Sequence, residues 1–309
     1  MRSLMAGCWL LFAVGGCAQV PVQAPLAGTA WDVRQQRIVP FSEILQQAGA
    51  ADIVLLGETH DHPDHHVIET AVLSALVATH TPTVVLEQYD LDQQVALDAS
   101  AQSAAGEQAR LAALQHLMGA GWEWPGYRPL LEIAVHSRLA IVAANAPRAA
   151  LRQVSKEGFA ALGPGRATAL GLDTHWSAAQ QALLGREIAD GHCGTLPPQA
   201  VTAIALAQRA RDAVMADRIL AQTATPVVAI LGRGHVRRDL GVPVYFRQRS
   251  PDKRVIAIGL VEAARSTAAS DYDHSALGEL YDFVVFTQPL QREIDPCTAF
   301  GPPAARRAP

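Results

Sequence analysis

The stretch VLLGETHDHPDHH, Val54 to His66, gathers His60, His62, His65 and His66 into seven residues, four of the chain's 11 histidines, beside Glu58 and Asp61. Imidazole and carboxylate together are the ligands of zinc, iron and manganese. Gly57 permits a tight exit from the preceding apolar run, and Glu58 and His60, two apart in extended chain, point the same way. His62 precedes Pro63, which pushes it out of helical geometry into a cap position. On the helix that Pro63 opens, His65 shares a flank with Ile68 and Val72 and leans toward the core, whereas His66 is turned by roughly 100° and is expected at the solvent. The spacing is not that of a compact zinc motif such as a helical HExxH. A site role is therefore expected first of His60, then of His62 and His65, and least of His66, against the plainer reading of loop histidines that bond backbone.

A second constellation is GRGHVRRDLGVP, with Arg233 and His235 in a glycine-rich turn. Such turns leave backbone N–H groups free for an anion, and neighbouring arginines favour carboxylate or phosphate. Glycine is needed in any tight turn, so the pattern is weak until the histidine is added. A third is GWEWPGYRPLLE, which packs Trp122, Trp124 and Tyr127 into six residues of a chain only 6% aromatic. It reads as a stiff platform for a flat ligand, with a hydrophobic plug as the simpler reading of the tryptophans. The Tyr127 phenol differs, because phenolate oxygen ligates ferric iron. No G-x-S-x-G elbow occurs, and spacing pairs neither Cys193 nor Cys297 with a histidine, although His192 adjoins the first.

Elements able to position these groups follow from the alternation of short apolar runs with helical patterns, which predicts an α/β fold, a mostly parallel central sheet flanked by helices. DIVLLGE, TPTVVLEQ, LAIVAAN, TPVVAILGRGH, RVIAIGL and YDFVVFT read as strands. PDHHVIETAVLSALVATH and residues 91–118 read as helical, and residues 151–222 as a largely helical insertion broken at GPG and CGTLPP. Glu58, Thr59 and His60, then Glu87 and Tyr89, Asn145 and His235 all fall just past strand carboxyl ends. In open α/β sheets that edge is where ligands bind, so residues about 180 positions apart should converge on one crevice.

Half of the 309 residues are hydrophobic and 17% are charged, enough for a substantial core and incompatible with a disordered or fibrous chain. A net charge of −4 without Lys/Arg runs argues against nucleic acid as a partner. MRSLMAGCWLLFAVGGC has one basic residue and an apolar stretch from Leu4 to Val14, too short to span a bilayer and suited to a signal peptide over residues 1–16. Gly15 and Gly16 before Cys17 resemble a bacterial lipobox, in which the cysteine is lipidated; cleavage near Ala18 by an ordinary signal peptidase is the alternative. Ala18 in place of aspartate matches sorting to the outer membrane. Residues 17–28 read as a tether and 29–309 as a single domain. Of the remaining cysteines, Cys193 and Cys297 either pair in an oxidising compartment or stand as separate thiols.

In order along the chain, LLGETHDHPDHH, VVLEQYD, GWEWPGYRPL, AANAPR, AQRARDAVMA, LGRGHVRRDLGVP and LGELYDFVVFT resemble the ChaN family of haem-binding lipoproteins, related to the Tiki, TraB and erythromycin-esterase group. The resemblance runs from about Ile53 to Thr287. It implies haem binding in haem and iron acquisition at the bacterial envelope, with two haems stacked at a homodimer interface. It further implies a tyrosine on each iron, and histidine and lysine near the propionates. Carried onto this chain, the iron ligand is Tyr127, with Tyr89 second, and the pocket draws on His60, His62, His65, Trp124, Arg128, Arg233 and His235. Lys156 and Lys253 lie outside the motifs, so Arg128, Arg148 or Arg233 would stand in for the lysine. The implied partners are haem, a membrane through the lipid anchor, and an outer-membrane haem receptor or periplasmic haem-binding protein. The alternative from the same superfamily is a hydrolase in which Glu58, His60, Glu87 and His235 activate water, with or without a metal.

Overall fold

A computed structural model describes residues 24–119, 121–122, 124–173, 176–263, 277–292 and 297–298. The described strands are β1 (Ala30–Asp32), β2 (Arg37–Val39), β3 (Ile53–Glu58), β4 (Thr83–Asp90), β5 (Ile141–Asn145), β6 (Val227–Gly232), β7 (Val255–Glu262) and β8 (Phe283–Thr287). They form one sheet in the order β2-β1-β8-β7-β3-β6-β4-β5. The run from β8 to β5 is parallel, and β1 adds antiparallel to β8, with β2 beyond it. The expected mostly parallel sheet is present, and the β1–β2 hairpin at its edge is the part that periodicity did not reveal.

The central strands read as unbroken apolar runs because both faces are covered. Every residue of β3 and of β6 is buried, and full burial of each valine or leucine there stabilises the fold by about 1.5–3 kcal/mol. Alternate residues serve opposite layers. Val54 and Leu56 pack with α1 (Phe41–Gly49), α2 (Pro63–Val77), α4 (Glu107–Leu117) and α5 (Trp124–His136). Leu55 and Val85 pack on the other side with α6 (Arg148–Glu157), α9 (Pro198–Leu220) and α10 (Val242–Arg249). α3 (Gln94–Gln102) runs on to α4, and the short α7 (Arg166–Ala169) and α8 (Ala178–Gly191) complete the helical region expected over 151–222. α9 lies close under the sheet because Ala210, Ala213 and Ala216 on its buried side are small.

Pro63 occupies the first turn of α2 and His62 is its N-cap, with Nδ1 accepting from the Asp64 N–H at 3.2 Å. Cys193 and Cys297 form a disulfide across 104 residues, tying the turn after α8 to the chain's C-terminal region. Part of the segment read as a tether is folded: Ala24 and Leu26 are buried, and the Gly28 N–H donates to the Phe286 carbonyl at 2.8 Å. The packed chain therefore begins at Ala24 or before it, not after Gly28. No helix among the described residues is long and apolar enough to cross a membrane. The signal-peptide and lipobox residues, Cys17 included, lie outside the described residues.

Candidate functional site

Parity along β3 sends Glu58, like Val54 and Leu56, toward α2 and α5. Its side chain is fully buried. Oε1 accepts hydrogen bonds from the Tyr127 hydroxyl at 2.6 Å and the Gln88 amide at 2.8 Å, and lies 2.7 Å from His60 Nδ1. His66 Nδ1 sits 3.2 Å from Glu58 Oε2 and 3.2 Å from Glu69 Oε2, and His66 Nε2 is 3.1 Å from the His60 carbonyl, to which it donates. Burial alone would raise the Glu58 pKa, but hydrogen bonds from His60 and His66 hold it well below the usual carboxylate range. Burial would lower His66, and its bonds to Glu58 and Glu69 instead push it up to about 10. Glu69 is raised well above its ordinary value by burial and by the Glu58 charge.

The opposite face of the sheet carries a matching group. Glu87 Oε2 accepts from the Gly232 N–H at 2.7 Å, while Oε1 lies 3.4 Å from His235 Nε2. His235 Nδ1 lies 2.5 Å from Asp212 Oδ1, contributed by α9. Burial would lower His235, yet the charges of Glu87 and Asp212 push it up to about 10. Burial would raise Glu87, and the charge and hydrogen bond of His235 bring it down to about 2. Asp212 is raised, mainly by burial.

His60 joins the two halves across the sheet edge. Its side chain is 38% exposed, and its ring meets Trp122 edge-on at 4.5 Å. A Cβ at Gly232 would fall 3.0 Å from His60 Nε2 and 3.4 Å from Glu87 Oε2, so the bare glycine is what lets His60 lie over the end of β6. Burial would lower its pKa, and the Glu58 bond and Glu87 charge raise it. Acids and imidazoles thus alternate in the order Asp212, His235, Glu87, His60, Glu58, His66, Glu69. Such a row can share protons, stabilise an anion at His60, or hold a cation between carboxylates.

Glu58, His60, Glu87 and His235 meet as the strand ends predict, and Tyr127 joins them. His62 and His65 form a bracket instead. Their rings stack at 4.1 Å. His65 Nδ1 accepts from the Thr59 N–H at 2.8 Å, and its Nε2 reaches Thr287 Oγ1 at 3.1 Å; His62 Nε2 bonds the Gln288 carbonyl at 2.7 Å. Burial and the His62 charge bring His65 down to about 3, a neutral structural imidazole. Tyr89 lies apart, donating to the Leu114 carbonyl at 3.0 Å, because a register shift between Leu86 and Asp90 turns it to the α4 side. Trp122 and Trp124 pack partly buried on the core. Arg128, Arg148 and Arg233 are exposed, the first paired with Glu132 at 2.8 Å. The turn after β6 is not an anion cradle of free amides: the Gly232, Arg233 and His235 N–H groups go to Glu87, the Glu58 carbonyl and the Gly232 carbonyl.

His66 departs most from expectation. Helical phase placed it at the solvent, but it is 5% exposed because α5 crosses over it; a Cβ on Gly126 would come within 2.3 Å of its ring. Sequence reasoning also passed over Glu69, Gln88 and Asp212. The i,i+3 spacing of His66 and Glu69 and the adjacency of Gln88 to Glu87 were the available signals. Asp212 had none beyond its place in AQRARDAVMA.

A planar haem is the cofactor the sequence resemblance implies, and the tyrosines test its fit. Four of the five are described, and Tyr89, Tyr127, Tyr245 and Tyr281 are all buried. Tyr127 donates to Glu58, and burial and that negative charge raise its pKa far above the phenol range. Among the described residues no phenol is exposed to a flat ligand, whereas the His60 imidazole, set against Trp122, is.

Comparison with known proteins agrees with this architecture. A family model described as haem-binding uptake, Tiki superfamily, ChaN matches residues 44–246, and the chain belongs to that family. The solved structure of cofacial haem binding to ChaN of Campylobacter jejuni has 19% identity and a TM-score of 0.64, covering 85% of this chain and 98% of that one. The type III effector HopBA1 (13% identity, TM-score 0.44, 89% and 100% coverage) and an erythromycin esterase in its open conformation (13%, 0.41, 76% and 76%) are more distant. No curated protein matches.

Proposed function

We propose that this chain is a haem-binding lipoprotein of the bacterial envelope, taking part in haem and iron acquisition as a homodimer. The supporting observation is the family match over residues 44–246, which contains the whole rim from Glu58 to His235. His60 is the partly exposed imidazole of the rim, Trp122 supplies an apolar wall, and exposed Arg128 and Arg233 offer charge to propionates. Bound haem would supply an iron centre to be carried; the protein's part is to seat the ring and release it. Tyr127 serves as an iron ligand only by withdrawing its hydroxyl from Glu58. Lipidation at Cys17 would hold the protein at the outer membrane, within reach of a haem receptor or a periplasmic haem carrier. The hydrolase alternative gains no support from the family match.

Titrating the full chain with hemin tests this reading. Saturable binding with a shifted Soret band is expected, weakened at least tenfold in His60→Ala. Tyr127→Phe and Tyr89→Phe report on ligation, since loss of a tyrosinate charge-transfer band identifies the phenol on iron. A wild-type spectrum identical to free hemin at all ratios overturns the proposal. Radiolabelled palmitate incorporation that disappears in Cys17→Ser tests the anchor.

A further inference from the structure

We propose that Glu58, His66 and Glu69 form a binding site for one zinc-class divalent cation, inside the fold behind the haem-carrying rim, with which it shares Glu58. Three observations carry it. First, ligand atoms of the three residues all lie within 4.8 Å of one another, and each residue is buried. Second, two oxygens of these carboxylates lack a hydrogen bond of good geometry, Glu58 Oε2, which meets only His66 Nδ1 at 3.2 Å, and Glu69 Oε1, on side chains 0% and 1% exposed. A cation would supply the partner each oxygen lacks. Glu58 Oε1, by contrast, is saturated by Tyr127, Gln88 and His60, so its other oxygen is the one left to coordinate.

Third, the imidazole is held as a ligand is held. His66 Nε2–H donates to the His60 carbonyl at 3.1 Å, which directs Nδ1 at both carboxylates; a backbone carbonyl on the far nitrogen is the usual means of fixing a metal-binding histidine's tautomer and angle. The Tyr127 ring at 4.3 Å and the bare Gly126 backbone close over it. Nδ1 stands 3.2 Å from one oxygen of each glutamate. Ligands about 2.0 Å from a tetrahedral zinc are separated by about 3.3 Å, so those two edges already have the required length. Calcium and magnesium prefer all-oxygen shells, so the imidazole selects against them. With three protein ligands a fourth position remains for water or a displaced side chain. The His235 cluster lacks this character: Glu87 Oε2 and Asp212 Oδ1 are both engaged.

The test is metal binding by the full chain, stripped with chelator and dialysed against zinc or magnesium, with metal content measured per chain. One zinc per chain and no magnesium is expected, with at least tenfold weaker zinc binding in Glu69→Gln and none lost in Asp212→Asn. Cobalt as a stand-in should give intense visible bands of a tetrahedral ion in wild type that vanish in Glu69→Gln. Melting of the metal-free Glu69→Gln variant close to wild type confirms that the fold survives. Absence of zinc at micromolar concentration, or equal binding by Glu69→Gln, overturns the proposal, as does zinc lost in Asp212→Asn instead.

Discussion

Replacing His235 with glutamine tests the electrostatics on which the rim depends. His235 is 6% exposed and stands between two carboxylates, Asp212 at 2% and Glu87 at 5% exposure. Removing the imidazolium leaves both acids buried with no cation between them, although Glu87 keeps the Gly232 amide. Breaking a buried pair in this way costs about 3–5 kcal/mol, which for a domain of this size lowers the melting temperature by roughly 6–20 °C. The pH dependence gives the sharper signature. Glu87, held at about 2, contributes stability above its unfolded pKa of about 4.5 and loses it as pH falls toward 2. His235, held at about 10, contributes fully below about 6.5 and loses it as pH rises toward 10. The wild-type contribution is therefore greatest from about pH 4.5 to 6.5, and the His235→Gln deficit should shrink on either side, as acid neutralises the orphaned carboxylates or alkali discharges the native imidazole. Urea denaturation of wild type, His235→Gln, Asp212→Asn and the double variant at acid, neutral and alkaline pH measures this. Asp212→Asn should restore part of what His235→Gln removes. A deficit under about 1 kcal/mol, or one flat with pH, refutes the buried relay.

Gly57→Ala should destabilise by about 1–3 kcal/mol, since the new Cβ would fall 2.2 Å from Val236 Cγ2 and 3.1 Å from the Arg233 Cα; an unchanged urea midpoint would show that the turn after β6 gives way freely. Cys297→Ser, which opens a bridge across 104 residues, should cost about 2–4 kcal/mol. Reductant should bring wild type down to the variant in a thermal melt, and equal stability in oxidising buffer would show the bond does not form. His65, with its pKa brought down to about 3, should show ring proton shifts that stay constant by NMR from pH 8 to pH 4. Its contribution is present above the unfolded value of about 6.5 and lost as pH falls toward 3; titration near 6.5 would show the bracket to be open.

The sheet was legible because buried parallel strands read as continuous apolar runs, and each of the six strands expected from sequence is present. The short hairpin Ala30–Val39 escaped because three-residue strands carry too little periodicity. At the rim, Glu58, His60, Glu87 and His235 were legible from strand ends alone. His66 was misplaced because helical phase describes one helix, whereas its burial comes from a second helix crossing at Gly126. Tyr89 was misjudged for a related reason: alternation fails across the register shift before Asp90. Asp212 is an acid on a helix far along the chain, and only the third dimension brings it to His235.

The described chain begins beside the His62 bracket. The Ala24 amide donates to the Gln288 side chain, and the carbonyl of that same residue holds His62. Seven peptide links join Cys17 to Ala24, a reach of at most about 25 Å when fully drawn out. An acylated Cys17 would therefore keep the His62 bracket, two residues along the chain from His60, close to the lipid headgroups. Cargo could then pass between the bilayer surface and this protein without the protein having to let go.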